Sequence, residues 1–186
     1  MSTPALTAAR TSAPTAIALR ALAIMERGTL EDFRAVIHPE ATNREAVDEP
    51  PECRGRGPEA FHATMLWLND AFAELRWETH DVVADGDLVA LHCTMSGRHV
   101  RTFVAYDADG GVADAFPPTG ARFAVTQSHW LRIEDGMVIE HWANRDDLGM
   151  GKQLRWVPPS ARYLVRMALA KRAARRALAV APRTRG

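Results

Sequence analysis

The segment Met137 to Asp146 holds side chains that could do chemistry if it forms a strand. Alternation then places Glu140, Trp142, Asn144 and Asp146 on one face and Ile139, His141, Ala143 and Arg145 on the other. The first set joins an aromatic, an amide and two carboxylates, an odd lining for a plain core. A carboxylate beside an indole in an apolar cavity has its charged form disfavoured. It is then suited to take a carbon-bound proton or to protonate a carbonyl. Asp146 is the residue expected to do this, with Trp142, Asn144 and Glu140 contacting a substrate. The competing expectation is that Asp146 caps the helix starting near Leu148, because Asp is a preferred N-cap. By position Asp147 is the better cap, which frees Asp146.

His129 shares a face with Phe123, Val125, Gln127, Leu131 and Ile133, and His92 shares one with Leu88, Ala90 and Thr94. Each is either a satisfied core histidine or a proton carrier. With Asp146 they form an expected catalytic set drawn from three strands. His38, before Pro39, is a rim residue or a simple helix terminator, and Trp67 is a further candidate substrate contact. His80, His99 and His141 are expected to face solvent or to be paired. The seven histidines show no H-x-H or H-E-x-x-H spacing, so no metal is expected. No G-x-S-x-G elbow occurs, and neither Cys53 nor Cys93 has an activating neighbour in sequence.

The elements that must position these residues follow from periodicity. Thr15 to Glu26 is a helix ended by Gly28, and Thr29 caps a second over Leu30 to Val36. The His38-Pro39 step opens a long loop reaching Gly57, of a length that is usually functional or mobile. Pro58 starts a helix with Phe61, Met65, Leu68 and Phe72 on one apolar face. Leu75–Ala84 and Asp87–His99 form a hairpin across Asp85-Gly86, and Arg122–Ile133 and Met137–Asp146 form another across Glu134-Asp135-Gly136. Between the hairpins, Arg101 to Gly120 is an extended excursion with a turn at its tip. Helices followed by hairpins indicate an α+β fold, N-terminal helices packing on a strongly curved antiparallel sheet, with room between them for a small molecule.

The net charge of zero is a cancellation. Through Asp147 there are 13 Lys/Arg against all 23 Asp/Glu, whereas the remainder holds 10 Lys/Arg and no acid. Ser160 to Arg176 reads as a basic amphipathic helix that docks on the acidic body or on a partner subunit; a nucleic-acid or membrane contact is the sharper alternative, and no base-reading motif supports it. Three segments are expected: a disordered 1–14, a domain over 15–157, and a basic helix and tail over 158–186. Two cysteines, no apolar leader in Met1 to Thr15 and no membrane-length apolar run together point to the cytoplasm.

The run Asp135-Gly136-Met137-Val138-Ile139-Glu140-His141-Trp142, leading through Asp146 into Leu148-Gly149-Met150-Gly151-Lys152-Gln153-Leu154, resembles the closing signature of the SnoaL-like polyketide cyclase (ester cyclase) family. Pro117-Pro118-Thr119-Gly120, His38-Pro39 and Gly57-Pro58 also fit it. The resemblance spans roughly His38 to Val157. It implies a cone-shaped α+β barrel of the nuclear-transport-factor-two-like superfamily, a homodimer or larger homo-oligomer, and no cofactor. The activity implied is intramolecular aldol ring closure of a polyketide ester, and the family's catalytic Asp maps onto Asp146. Two positions depart from the pattern: Ala143 stands where many members carry Asp, and Arg44 where many carry His.

The leading expectation is therefore a cofactor-independent cyclase acting on a polyketide-like small molecule. Asp146 would abstract a proton flanked by two carbonyls, and His129 or His92 would hydrogen-bond the enolate. Other readings stay open on the same fold: an isomerase, an epoxide hydrolase drawing on Arg98, Arg101 or Arg132, a cofactor-free oxygenase, or a non-catalytic binding module. On the leading reading, Asp146→Asn costs a large factor in turnover and leaves the fold intact, which steady-state kinetics would check.

Overall fold

The computed structural model describes residues 13–180. Of the expected disordered segment, residues 1–12 lie outside the described residues, whereas Ala13 and Pro14 already belong to the first helix, α1 (Ala13–Ile24). In α2 (Leu30–Arg34), Thr29 makes the expected cap. Its hydroxyl accepts the Asp32 N–H, and the Asp32 carboxylate accepts the Thr29 N–H at 2.9 Å, a reciprocal capping box.

The first departure from expectation follows. The stretch after Val36 begins with a strand, β1 (Ile37–Asn43), instead of a loop. Pro39 argues against a central strand because it has no N–H to give. Here β1 is the edge of its sheet, and its pairing is irregular between Ile37 and Thr42, the interval containing Pro39. A 3₁₀ turn (Pro51–Arg54) leads to α3 (Gly57–Ala71). Gly57 sits at φ +78°, and a β-carbon there would lie 2.5 Å from the Pro39 carbonyl oxygen, so only glycine lets α3 start against β1.

The expected hairpins form. β2 (Phe72–Asp85) pairs with β3 (Leu88–His99), and β6 (Arg122–Glu134) pairs with β7 (Met137–Arg145). The excursion between them is itself paired, as β4 (Phe103–Tyr106) and β5 (Val112–Phe116). The main sheet has the order β1-β7-β6-β3-β2, antiparallel except for the parallel β1–β7 pair. Register shifts interrupt β2 at two places, which bend the long strand and curve the sheet around the helices. The fold is therefore the α+β architecture with a curved, helix-covered sheet.

Two apolar clusters hold it together. Phe33, Val36, Leu91, Cys93 and Val138 are buried beneath α1 and α3, and Phe72, Met95, Phe123 and Leu154 are buried under α4 (Asp147–Gln153). Fully burying one such side chain contributes roughly 1.5–3 kcal/mol. The basic C-terminal helix, α5 (Ala161–Val180), docks on the body as expected. Tyr163 donates to the Pro117 carbonyl at 3.1 Å, Arg166 to the Pro118 carbonyl at 2.8 Å, and Lys171 pairs with Asp114 at 3.2 Å. Among the described residues no helix is long and apolar enough to cross a membrane.

His99, expected to face solvent or to be paired, is fully buried between Phe72 and Trp156, with ring centroids 5.4 and 5.3 Å away. Its Nδ1 accepts the Thr119 N–H at 3.3 Å, and its Nε2 has no hydrogen-bond partner. Burial pushes its pKa down to about 4. The unfolded chain binds this proton near the ordinary value of about 6.5, so protonation favours unfolding. The stability that neutral His99 contributes is present above about pH 6.5 and is lost as pH falls toward 4. Accordingly, denaturant midpoints should fall between pH 7.5 and 4.5, and His99→Phe should flatten part of that decline.

Candidate active site

Between the helices and the inner face of the sheet lies a cavity of about 500 Å³. One side is aromatic: Trp156 stacks on Phe116 (4.3 Å between centroids) and on Phe103 (5.6 Å), and Trp67 packs on Phe103 at 4.6 Å. The Trp67 indole N–H donates to the Val104 carbonyl at 3.1 Å, which fixes its ring as part of the wall. Flat aromatic surfaces of this kind suit a planar, largely apolar ligand.

The polar side comes from β6, β7 and the chain after β1. Pairing sets which residues point inward. On β6, Gln127, His129 and Leu131 line the cavity, and their partners on β7 are Arg145, Ala143 and His141 respectively. Directly paired residues share a sheet face, so His141 and Arg145 also line it. This reverses the assignment drawn from composition. Trp142 lies on the outer face, stacked on Trp130 (6.2 Å, interplanar 4°) with the Arg44 guanidinium 4.8 Å above it. Glu140, on the same face, accepts the Arg44 Nε–H at 2.7 Å and lies 3.7 Å from Arg132. Asn144 is exposed and absent from the cavity wall.

Asp146 is likewise corrected. Its carboxylate is exposed and accepts the Gly149 N–H at 2.8 Å, the N-cap of α4. Gly149 makes the room, since a β-carbon there would lie 2.0 Å from an Asp146 carboxylate oxygen. Asp147, the residue sequence position favoured as cap, instead lines the cavity. His92 is exposed on the outer face, 3.2 Å from the Ser128 hydroxyl, and His38 meets the Glu40 N–H at 3.1 Å outside the cavity. Of the expected site residues, the structure brings His129 and Trp67 to the cavity and leaves Asp146, His92, Trp142, Asn144, His38 and Glu140 outside it.

Several cavity residues were not singled out in the sequence. Asn43 ends β1, and its side-chain oxygen accepts the Glu45 N–H at 3.1 Å. That Asx turn, with the Arg44 N–H donated to the His141 carbonyl at 3.0 Å, swings Glu45 over β7. There the Glu45 carboxylate accepts the Ala143 N–H at 3.0 Å and lies 3.7 Å from Arg145. Arg145 in turn lies 3.6 Å from Asp147. Glu49, 4% exposed, is hydrogen-bonded to the Thr64 hydroxyl, and burial raises its pKa. The length of the loop after Pro39 was the available signal for Glu45 and Glu49; their inward orientation depends on β1 pairing with β7.

The two inward histidines are in contact: His129 Nδ1 is 2.9 Å from His141 Nε2, with stacked rings. The outer nitrogens meet amide oxygens, His129 Nε2 at Gln127 Oε1 and His141 Nδ1 at Asn43 Oδ1, both at 2.9 Å. Burial and the Arg145 charge push His129 down to about 4. Burial, His129 and Arg145 push His141 well below its ordinary value. The two rings are therefore not both charged near neutral pH. Neither thiol competes as a nucleophile, because burial pushes Cys53 up to about 12 and Cys93 up to about 11.

The arrangement, an aromatic slot ending in carboxylates, one guanidinium and a histidine pair, offers proton transfer and charge stabilisation. It can be set beside known proteins. Over 128 residues the chain is 36% identical to the aklanonic acid methyl ester cyclase DnrD of Streptomyces peucetius, a match covering 68% of this chain and 80% of that protein. It is 30% identical to the nogalonic acid methyl ester cyclase of Streptomyces nogalater, covering 68% and 86%. The structure of TsrD from Streptomyces laurentii superposes with a TM-score of 0.60 at 27% identity, over 76% of this chain and 94% of that one. A SnoaL-like polyketide cyclase from Agrobacterium tumefaciens, 14% identical, shares the fold with a TM-score of 0.58 over 76% and 97%. The profile of SnoaL-like polyketide cyclases matches residues 15–154, and this chain belongs to that family.

Proposed function

We propose that the protein closes a ring in a polyketide ester by an intramolecular aldol reaction, with Glu45 as the base. The observation that carries this is the seat of the Glu45 carboxylate, held on the Ala143 N–H where β7 pairs residue 143 with His129. Many family members carry an Asp at that inward position. Here the strand offers only a methyl group, and the loop after β1 brings a carboxylate to the backbone N–H of that residue.

In this reading the aromatic slot holds the flat part of the substrate. Glu45 takes a proton from a carbon flanked by two carbonyls. The enolate carbon attacks a ketone, the new C–C bond forms as the C=O π bond opens, and the alkoxide oxygen takes a proton. Arg145, between Glu45 and Asp147, supplies positive charge for the oxygens that become negative. The balance is internal and no oxidant or reductant is consumed. The named relatives act on methyl esters of polyketide acids, which supports an ester of this class as substrate. The polar groups at the slot's end favour an enzyme over a purely binding module. Arg98, Arg101 and Arg132, candidates for hydrolase chemistry, are paired outside the cavity with Glu74, Asp70 and Asp87.

Glu45→Gln should lower kcat by about 10²–10⁴, the usual range for losing a positioned base, with little change in thermal midpoint. Adding Ala143→Asp to Glu45→Gln should restore a substantial part of the rate by returning a carboxylate to the strand; a normal rate for Glu45→Gln overturns the assignment. The expectation for Asp146 is now reversed. Asp146→Asn, which preserves a good cap, should turn over normally. Asp146→Ala should cost about 1 kcal/mol of stability, read from urea midpoints, without a loss in kcat on the scale of Glu45→Gln.

A further inference from the structure

The histidine pair is bounded by two fixed acceptors. Gln127 Oε1 accepts the Trp77 indole N–H at 3.2 Å while the same amide's nitrogen donates to the Met95 sulfur at 3.1 Å. Turning that amide over would set its NH₂ against the indole N–H. Asn43 Oδ1 is held the same way by the Glu45 backbone N–H. Both ends of the pair therefore demand an N–H from the ring that faces them, His129 Nε2 at one end and His141 Nδ1 at the other.

Two neutral imidazoles carry one N–H each, and there are three contacts to fill. If both protons point outward, His129 Nδ1 and His141 Nε2 meet lone pair to lone pair at 2.9 Å. If either ring turns its proton inward, its outer nitrogen opposes an amide oxygen at 2.9 Å with no hydrogen between them. Every neutral arrangement leaves at least one repulsive contact in a buried place, where an unmet polar contact is costly. Three protons satisfy all three contacts at once. We infer that His129 and His141 together hold one extra proton, shared across their facing nitrogens, and serve as the cavity's proton store.

The same cavity holds carboxylates of both the loop after β1 (Glu45, Asp48, Glu49) and α4 (Asp147), with the guanidinium of Arg145 on β7. The edge of the Phe61–His141 contact, 6.3 Å between centroids, comes from α3. Burial and Arg145 act against charge on either ring, so it is the fixed acceptors at both ends and the short contact between the rings that hold the one shared proton. With all three contacts filled, nothing offsets that burial for a second, and the pair titrates as a unit. Its role in turnover rests on the cyclase reading above. Ring closure leaves an alkoxide needing a proton while Glu45 has just gained one. The pair gives its proton to the alkoxide, and after release the proton on Glu45 restores the pair through solvent.

The test counts protons directly. In the full-length protein with ¹⁵N-labelled histidine rings at pH 7, NMR should show His129 Nε2 and His141 Nδ1 both protonated. The facing nitrogens should share one strongly deshielded proton. In Gln127→Met, which removes one acceptor, two protons fill the remaining two contacts, so the pair should lose its extra proton and read as neutral at pH 7. A bare outer nitrogen in the wild-type spectrum overturns the proposal, as does an unchanged protonation pattern in a folded Gln127→Met. The count is independent of turnover. A bare outer nitrogen with Glu45→Gln still inactive removes the proton store alone, whereas a correct count with Glu45→Gln fully active removes the cyclase mechanism alone.

Discussion

The register between β6 and β7 is the constraint on which the site depends. Pairing Gln127 with Arg145, His129 with Ala143 and Leu131 with His141 puts all six on one sheet face. A slip of one residue would turn His141 and Arg145 to the outside and bring Trp142 in. The buried apolar residues of β6, Phe123, Val125, Leu131 and Ile133, hold their side inward, and the register carries that orientation to β7. The parallel contact of β1 adds the next layer by fixing where Asn43 turns and where Glu45 lands.

Around that register the cavity has a division of labour. Aromatic residues from α3, β4, β5 and the segment after α4 form a rigid slot, and the charged residues gather where β7 meets the loop after β1. Arg145 and Asp147 stand at the exposed mouth of that end, whereas Glu49 and His129 lie buried behind them. Arg145 is its electrostatic centre. It faces Glu45 and Asp147, and it also acts on Glu49, His129 and His141.

On the cyclase reading proposed above, the departure at Ala143 is made good locally. Ala143 leaves an inward position without a functional group, and an Asx turn supplies a carboxylate from elsewhere in the chain. Arg44, the other departure, works outside the cavity, pairing with Glu140 and covering Trp142. Glu140 and Trp142 thus belong to an outer cluster whose composition imitates a site. The same residue types serve structure on one face and line the cavity on the other.

The sequence by itself determined the elements with strong local signals. These were the capped α2, the apolar face of α3, the two hairpins at Asp85-Gly86 and Glu134-Asp135-Gly136, and the inward stripe of β6 that includes His129. Each rests on interactions within a few residues, so spacing and residue type suffice. The closing segment also carried the family. Only tertiary structure decided which face of β7 is the inside, because alternation gives two faces and says nothing about which one the neighbouring strand buries. It also made β1 a strand despite Pro39, since an edge position tolerates the missing donor. It settled the choice between Asp146 and Asp147 as well. The open space above Gly149 folds the Asp146 carboxylate onto the helix end and leaves Asp147 facing the cavity. The residue from which the reading of the last strand began is a helix cap, because a carboxylate within reach of an unpaired backbone N–H has its partner already.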